Sequence, residues 1–333
     1  MYIYSKIKQT SDTGGMSMPL LPQVENFLKR VADLQKSGIP TIENLNAGQI
    51  RQLFNRFHEG TSGQEEQVAD IKNLTIPGDQ SEITVRLYTP SGNGPFPVLV
   101  YFHGGGWVAG NLETADFLVR KLANKANCLV VSVNYRLAPE HKFPVAVKDC
   151  YTAVKWTAAH IEKYNGDPRR MVTGGDGAGG NLAAVIPIIA KEQGGPSISF
   201  QLLIYPVTNL SFNTPSHKHY ASGYFLEHSA MKRFAAEYLN HDEERTNYYV
   251  SPLMAKDLSG LPPALIITAE YDILRDEGEE YARRLREAGV KSQLIRYDGL
   301  IHGFLTIPEL KNEAKLAVEH IAVVLKRHFS SGE

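Results

Sequence analysis

Val98-Leu99-Val100-Tyr101-Phe102-His103-Gly104-Gly105-Gly106-Trp107 joins an unbroken apolar run to three consecutive glycines. A short run of β-branched, aliphatic and aromatic residues suits a strand buried on both faces. The glycines that follow leave backbone N–H groups uncovered by side chains. A carbonyl oxygen on which negative charge develops can then come within about 2.7–3.1 Å of such donors. A strand ending in His-Gly-Gly-Gly is the setting of an oxyanion loop, against the plainer reading of a flexible glycine turn. His103 is expected to brace the loop through its ring rather than to transfer protons.

Outward from this stretch, further β-rich runs lie at 83–88, 128–135, 170–174, 200–207, 264–269 and 292–297. Helical spacing fills most gaps between them, at 114–126, 145–161, 179–191, 276–288 and 310–329. Strand alternating with helix predicts an α/β fold, a mainly parallel sheet covered on both faces. Two amphipathic segments, 24–34 and 46–58, precede the strands, and no strand is expected before residue 83. The aromatic-rich stretch 209–260 interrupts the rhythm, and it is expected to pack with the N-terminal helices as a lid. The expected division is a leader over 1–15, cap helices over 16–60, a catalytic domain over 61–208 and 241–333, and a cap insertion over 209–240.

Gly175-Asp176-Gly177-Ala178-Gly179 has the frame Gly-x-Ser-x-Gly, after a strand and before an alanine-rich helix, with Gly177 where the serine belongs. In such an elbow the central side chain sits on a strained turn, flanked by small residues that let strand and helix meet. Gly177 tolerates that backbone and supplies no nucleophile, and neither Thr173 nor Ser132 is placed to replace it. Gly175, Gly177 and Gly180 also fit a dinucleotide fingerprint. That reading fails on context, because the run 200–207 ends in Thr208-Asn209, without the acidic residue the fingerprint requires. Asp272 and His302 each follow a strand run, on the edge of a parallel sheet where α/β proteins build sites. There a histidine acts as general base while a carboxylate fixes its tautomer. Asp298 is the second choice of acid. Asp276 and Glu277 are read as carboxylates at the positive end of a helix dipole.

Taken in order, these segments resemble the hormone-sensitive-lipase-like branch of the α/β-hydrolase esterases, from about Leu21 onward. The resemblance is carried by the loop 103–107, Tyr135-Arg136-Leu137-Ala138-Pro139-Glu140, the elbow with Gly180-Asn181, Tyr271-Asp272-Ile273-Leu274-Arg275-Asp276-Glu277-Gly278, and His302-Gly303-Phe304. It implies an α/β-hydrolase fold and a serine carboxylesterase for short to medium-chain esters, working without a cofactor or metal. It also implies an oxyanion hole from the amides of Gly104, Gly105 and Ala178, with Asp272 and His302 as acid and base. Gly177 falls on the nucleophile position, so this chain is expected to bind an ester or its acid product and to turn esters over poorly. The alternative is a non-catalytic small-molecule binding protein on the same scaffold. Trp107, Asp176 and Tyr205 are expected at the substrate. A homodimer is implied by the resemblance alone.

Composition agrees with a globular chain, with 43% hydrophobic and 21% charged residues among 333. Lys+Arg number 35 against 36 Asp+Glu, for a net charge of −1, which argues against nucleic acid as a partner. Two cysteines, Cys128 and Cys150, are too few for a disulfide framework and lack the spacing of a zinc site. No stretch reaches the roughly 18 apolar residues of a membrane span. Residues 9–15 are polar where a secretory signal would be apolar, so a cytoplasmic location is expected.

Overall fold

A computed structural model describes residues 18–59, 66–79 and 81–331, so the expected leader over 1–15 lies outside the described residues. One sheet contains β1 (Asp70–Pro77), β2 (Glu82–Thr89), β3 (Phe96–Phe102), β4 (Leu129–Asn134), β5 (Gly166–Asp176), β6 (Phe200–Ile204), β7 (Ala264–Tyr271) and β8 (Ser292–Ile301). Their spatial order is β1-β2-β4-β3-β5-β6-β7-β8. The β1–β2 and β2–β4 pairs are antiparallel and the rest are parallel. The helices are α1 (Pro22–Lys36), α2 (Ala47–Glu59), α3 (Leu112–Ala126), α4 (Val145–His160), α5 (Ala178–Gln193), α6 (Pro215–His219), α7 (His228–Tyr238), α8 (Arg275–Glu287) and α9 (Lys311–Ser331).

Side chains of β3 alternate between two cores, as the strand period of two requires. Leu99 and Tyr101 join Val24, Leu122 and Ile321 on one face, while Val98, Val100 and Phe102 join Val154, Leu182 and Leu285 on the other. Both faces are covered, which is why the run reads as continuously apolar.

β1 corrects the expectation that no strand precedes residue 83. It lies at the sheet edge, and only Ile76 among its residues is buried. Its place is set by backbone pairing with β2, from Asp70 opposite Thr89 to Pro77 opposite Glu82, which leaves no apolar alternation to read. β6 stops short of the expected run because Tyr205 turns the chain with φ +34°. β8 continues to Ile301, so Asp298 and Gly299 lie inside the strand rather than in a loop.

The N-terminal helices and the 209–260 stretch meet above the sheet. Phe225 packs against Phe27 of α1 and Phe57 of α2, with ring centroids 5.2 and 5.6 Å apart. Arg51 of α2 donates to the carbonyls of Val108 and Ala138, each at 2.9 Å, and pairs with Glu140. Among the described residues no helix is long and apolar enough to cross a membrane, and no group of three or more His, Cys, Asp or Glu is placed to hold a metal ion.

Candidate active site

Asp272 and His302 follow directly on β7 and β8, which are parallel neighbours, so both residues leave the sheet at the same edge. His302 Nδ1–H donates to Asp272 Oδ2 at 2.7 Å. The other carboxylate oxygen accepts the Leu274 amide at 2.9 Å. The Asp272 side chain is 1% exposed and that of His302 16%, so the acid is sealed in while the imidazole can still be reached. Nδ1 is thereby committed, and Nε2 is left as the reactive nitrogen. Asp298, the second choice of acid, is not the partner of this ring.

The elbow forms at the junction of β5 and α5. Gly177 adopts φ +53° and ψ −114°, outside the ordinary range for a residue with a side chain. Its N–H donates to Ile204 O at 3.0 Å, and its carbonyl accepts from Val207 N at 3.2 Å and Asn181 N at 3.0 Å. A Cβ built on Gly177 would stand 3.5 Å from His302 Nε2, an ordinary contact. Gly179 explains the small-residue frame, since a Cβ there would lie 1.9 Å from Phe102 O. The amide of Ala178 begins α5, where first-turn N–H groups have no partner within the helix and the dipole favours negative charge. Thr173 cannot serve as nucleophile: it is buried, and its hydroxyl donates to Ala183 O at 3.0 Å. Ser132 is buried inside β4.

The glycine loop is braced from several sides. His103 Nδ1–H donates to Gly104 O at 2.8 Å, and the ring stacks on Tyr135 at 4.3 Å, whose hydroxyl donates back to His103 O at 2.7 Å. Burial lowers the His103 imidazole to about 4, so it stays neutral and structural. Ala138 N donates to Trp107 O at 2.9 Å, and Arg136 holds buried Asp149 through a two-pronged contact, so the segment 135–140 serves as the loop's scaffold.

Four expectations change here. Gly104 leaves the trio of amides, because its N–H donates to Asp176 Oδ1 at 3.0 Å. Among the described residues the amides of Gly105 and Gly106 have no backbone acceptor. Asp176, expected at the substrate, uses the same Oδ1 to take the Tyr101 hydroxyl at 2.6 Å, and burial raises its pKa against those bonds and the nearby His302 and His58. Trp107 has no exposed surface and stacks on Tyr238 of α7 at 4.4 Å, so it ties the loop to the insertion rather than lining a pocket. Tyr205 is 2% exposed, and its ring lies 4.7 Å from that of His302, as a backing to the imidazole.

One group escaped the sequence reading and another has partners beyond those it gave. His58 of α2 lines a narrow cleft with Phe54, Tyr101, His103, Asp176 and Thr306. Burial lowers its pKa, against the Phe54 carbonyl and Asp176. The only available signal was the i, i+4 spacing of Phe54 and His58. Glu277 is no mere dipole partner. It is fully buried, accepts the Thr208 and Asn209 amides at 2.8 and 3.0 Å, and meets His217 Nε2 at 3.1 Å. Ser216 beside it donates its N–H to Asp276 at 2.7 Å and its hydroxyl to Ile273 O at 2.6 Å.

Comparison with known proteins bears on the family and the fold. Residues 99–306 match the alpha/beta hydrolase fold family. The carboxylic ester hydrolase LipN of Mycobacterium tuberculosis is 41% identical over 267 residues, covering 78% of this chain and 71% of LipN. An arylesterase of Saccharolobus solfataricus is 35% identical over 302 residues, covering 90% and 97%. An ester-hydrolase from the metagenome of Lake Arreo, solved with a derivative of bipyridine phosphonate, superposes with a TM-score of 0.90 at 39% identity, covering 93% of this chain and 99% of that one.

Proposed function

The chain belongs to the alpha/beta hydrolase fold family, and from that membership we propose that it binds carboxylic esters of short to medium acyl length beside Gly177, Asp272 and His302. The observation that carries this reading is the Asp272–His302 bond, with Nε2 3.5 Å from where a Cβ of residue 177 would stand. The similar proteins bear ester-hydrolase and arylesterase names, which supports the substrate class.

With a serine at 177, the imidazole would take the hydroxyl proton during attack on the ester carbonyl and return it to the leaving alcohol. Asp272 would stabilise the imidazolium formed between those steps. In this reading the ester carbonyl oxygen lies against the amides of Gly105, Gly106 and Ala178, and residues 18–59 with 209–240 form the cap above it. Gly177 removes the nucleophile and leaves the remaining parts in place. Serine-hydrolase knockouts keep roughly 10³–10⁴-fold catalysis over water from the oxyanion hole and binding, so weak turnover is expected here.

The test is hydrolysis of p-nitrophenyl acetate by this protein and by Gly177→Ser, prepared identically. A gain of several orders of magnitude supports a nucleophile-disabled esterase. The second reading, a binding protein without catalysis, is favoured by the same glycine. It stands if the variant stays at the solvent rate while the protein still binds esters or carboxylic acids.

A further inference from the structure

We propose that the Gly177 site transfers an acyl group in a single displacement to a free hydroxylic acceptor, water or a small primary alcohol such as methanol, held between Gly177 and His302. This rests on the ester-hydrolase reading above and adds a second activity to it.

The elbow does not need a serine to keep its shape. Both sides of Gly177 are pinned by backbone bonds to Ile204, Val207 and Asn181. The base is equally well held, with Asp272 on its Nδ1 and the Tyr205 ring behind it. Between them, among the described residues, a Cβ on Gly177 would meet only His302 Nε2 at 3.5 Å and Cε1 at 3.7 Å, with no other non-neighbouring atom within 4 Å. With a Cα–Cβ bond of about 1.5 Å, Nε2 lies no more than about 5 Å from the Gly177 Cα. An acceptor oxygen in hydrogen-bond reach of Nε2, about 2.8 Å, and in van der Waals contact with that Cα therefore stands off the line joining them. The probed Cβ position itself meets no described atom closer than 3.5 Å.

The step balances without any further reactant. As the acceptor oxygen bonds to the ester carbonyl carbon, its proton passes to His302 Nε2 and the carbonyl electron pair moves onto oxygen. Collapse of the adduct breaks the bond to the leaving alkoxide, which takes the proton back from His302. With methanol, RCOOR′ and CH₃OH give RCOOCH₃ and R′OH; with water, the products are the acid and the alcohol. No acyl-enzyme forms. Tethering a nucleophile is worth about 10⁵–10⁸ M in effective concentration, so a 1 M acceptor works slower than the tethered hydroxyl of Gly177→Ser by about that factor.

The experiment follows p-nitrophenyl acetate with 0–2 M methanol, ethanol and tert-butanol, measuring p-nitrophenol release and the acetate ester formed, for the native protein and for Gly177→Ser, Gly177→Ala and His302→Ala. The expected result is a saturable methanol dependence that more than doubles the native rate, with methyl acetate as the main product and no gain from tert-butanol. The gain is expected to vanish in Gly177→Ala, whose methyl group crowds the acceptor position, and in His302→Ala, with circular dichroism confirming that both fold. A gain that survives in either alanine variant, or that tert-butanol reproduces, overturns the proposal as a solvent effect. If Gly177→Ser is active and methanol does nothing to the native protein, the acceptor site is wrong and the esterase reading stands. If both are inactive, the esterase reading itself fails.

Discussion

His302 donates through Nδ1 to Asp272 Oδ2 at 2.7 Å, and the second oxygen of that carboxylate is already taken by the Leu274 amide. The ring is therefore held in one tautomer by an acid whose own orientation is fixed by the turn into α8. An asparagine at 272 keeps an oxygen for one of these bonds and loses the charge that stabilises an imidazolium. In a Gly177→Ser background, Asp272→Asn is expected to fold and to lower kcat by about 10⁴-fold, whereas Asp298→Asn is expected to stay within about tenfold. Steady-state kinetics of the two double variants decide between the acids.

Gly104 faces a carboxylate at close range. A Cβ there would lie 2.3 Å from Asp176 Oδ2, so Gly104→Ala must displace the group that receives both Tyr101 and the Gly104 amide. The expected cost is about 2–4 kcal/mol, read from urea denaturation. Asp176→Asn, which keeps the oxygen that accepts both bonds, is expected to cost about 1 kcal/mol. Equal losses in the two variants would sink the bracing role assigned to Asp176.

Glu277 and His217 are a fully buried pair joining α8 to the insertion. Burial pushes the Glu277 carboxyl upward, against His217 and the amides of Thr208 and Asn209. Glu277→Ala leaves two amides and an imidazole without their acceptor and is expected to cost about 3–5 kcal/mol. Glu277→Gln retains an oxygen for the amides and is expected to recover about half of that loss. Thermal denaturation of both variants, with intrinsic fluorescence following the aromatic insertion, checks the ordering.

The His103 imidazole titrates at about 4 in the folded chain against 6.5 ordinarily. Between those values the unfolded chain binds a proton that the folded chain refuses. Stability therefore falls as pH drops from 6.5 and the loss levels off below about 4. The contribution is about 3 kcal/mol across that window. His103→Asn, with an amide donor for the Gly104 carbonyl, is expected to flatten this limb of a Tm-against-pH profile relative to the native protein. An unchanged acid limb refutes it.

What the sequence revealed, and what it hid, follows from the range over which each signal acts. β3 was legible because a strand buried on both faces must be apolar along its length. The pairing of Asp272 with His302 was legible because parallel strands deliver their C-terminal ends to one edge. β1 was not, since an edge strand is held by backbone pairing that any residues can make. The Gly104 amide was misassigned because its acceptor is 72 residues away in sequence. Trp107 was misread because an aromatic residue beside a glycine loop looks the same whether it lines a pocket or turns inward onto Tyr238. Glu277 likewise reads as an ordinary first-turn carboxylate until His217, 60 residues away, is brought beside it.

The ties between residues 208–217 and 273–277 also bear on how such scaffolds diversify. Thr208 and, from the insertion, Asn209, Ser216 and His217 all terminate on Ile273, Asp276 or Glu277, within five residues of Asp272. A different insertion grafted between β6 and β7 would strand a buried carboxylate unless the turn after β7 were exchanged with it. Ancestry of the two segments should therefore be shared, and chimeras that swap the insertion alone should misfold more often than those whose second crossover falls beyond residue 277.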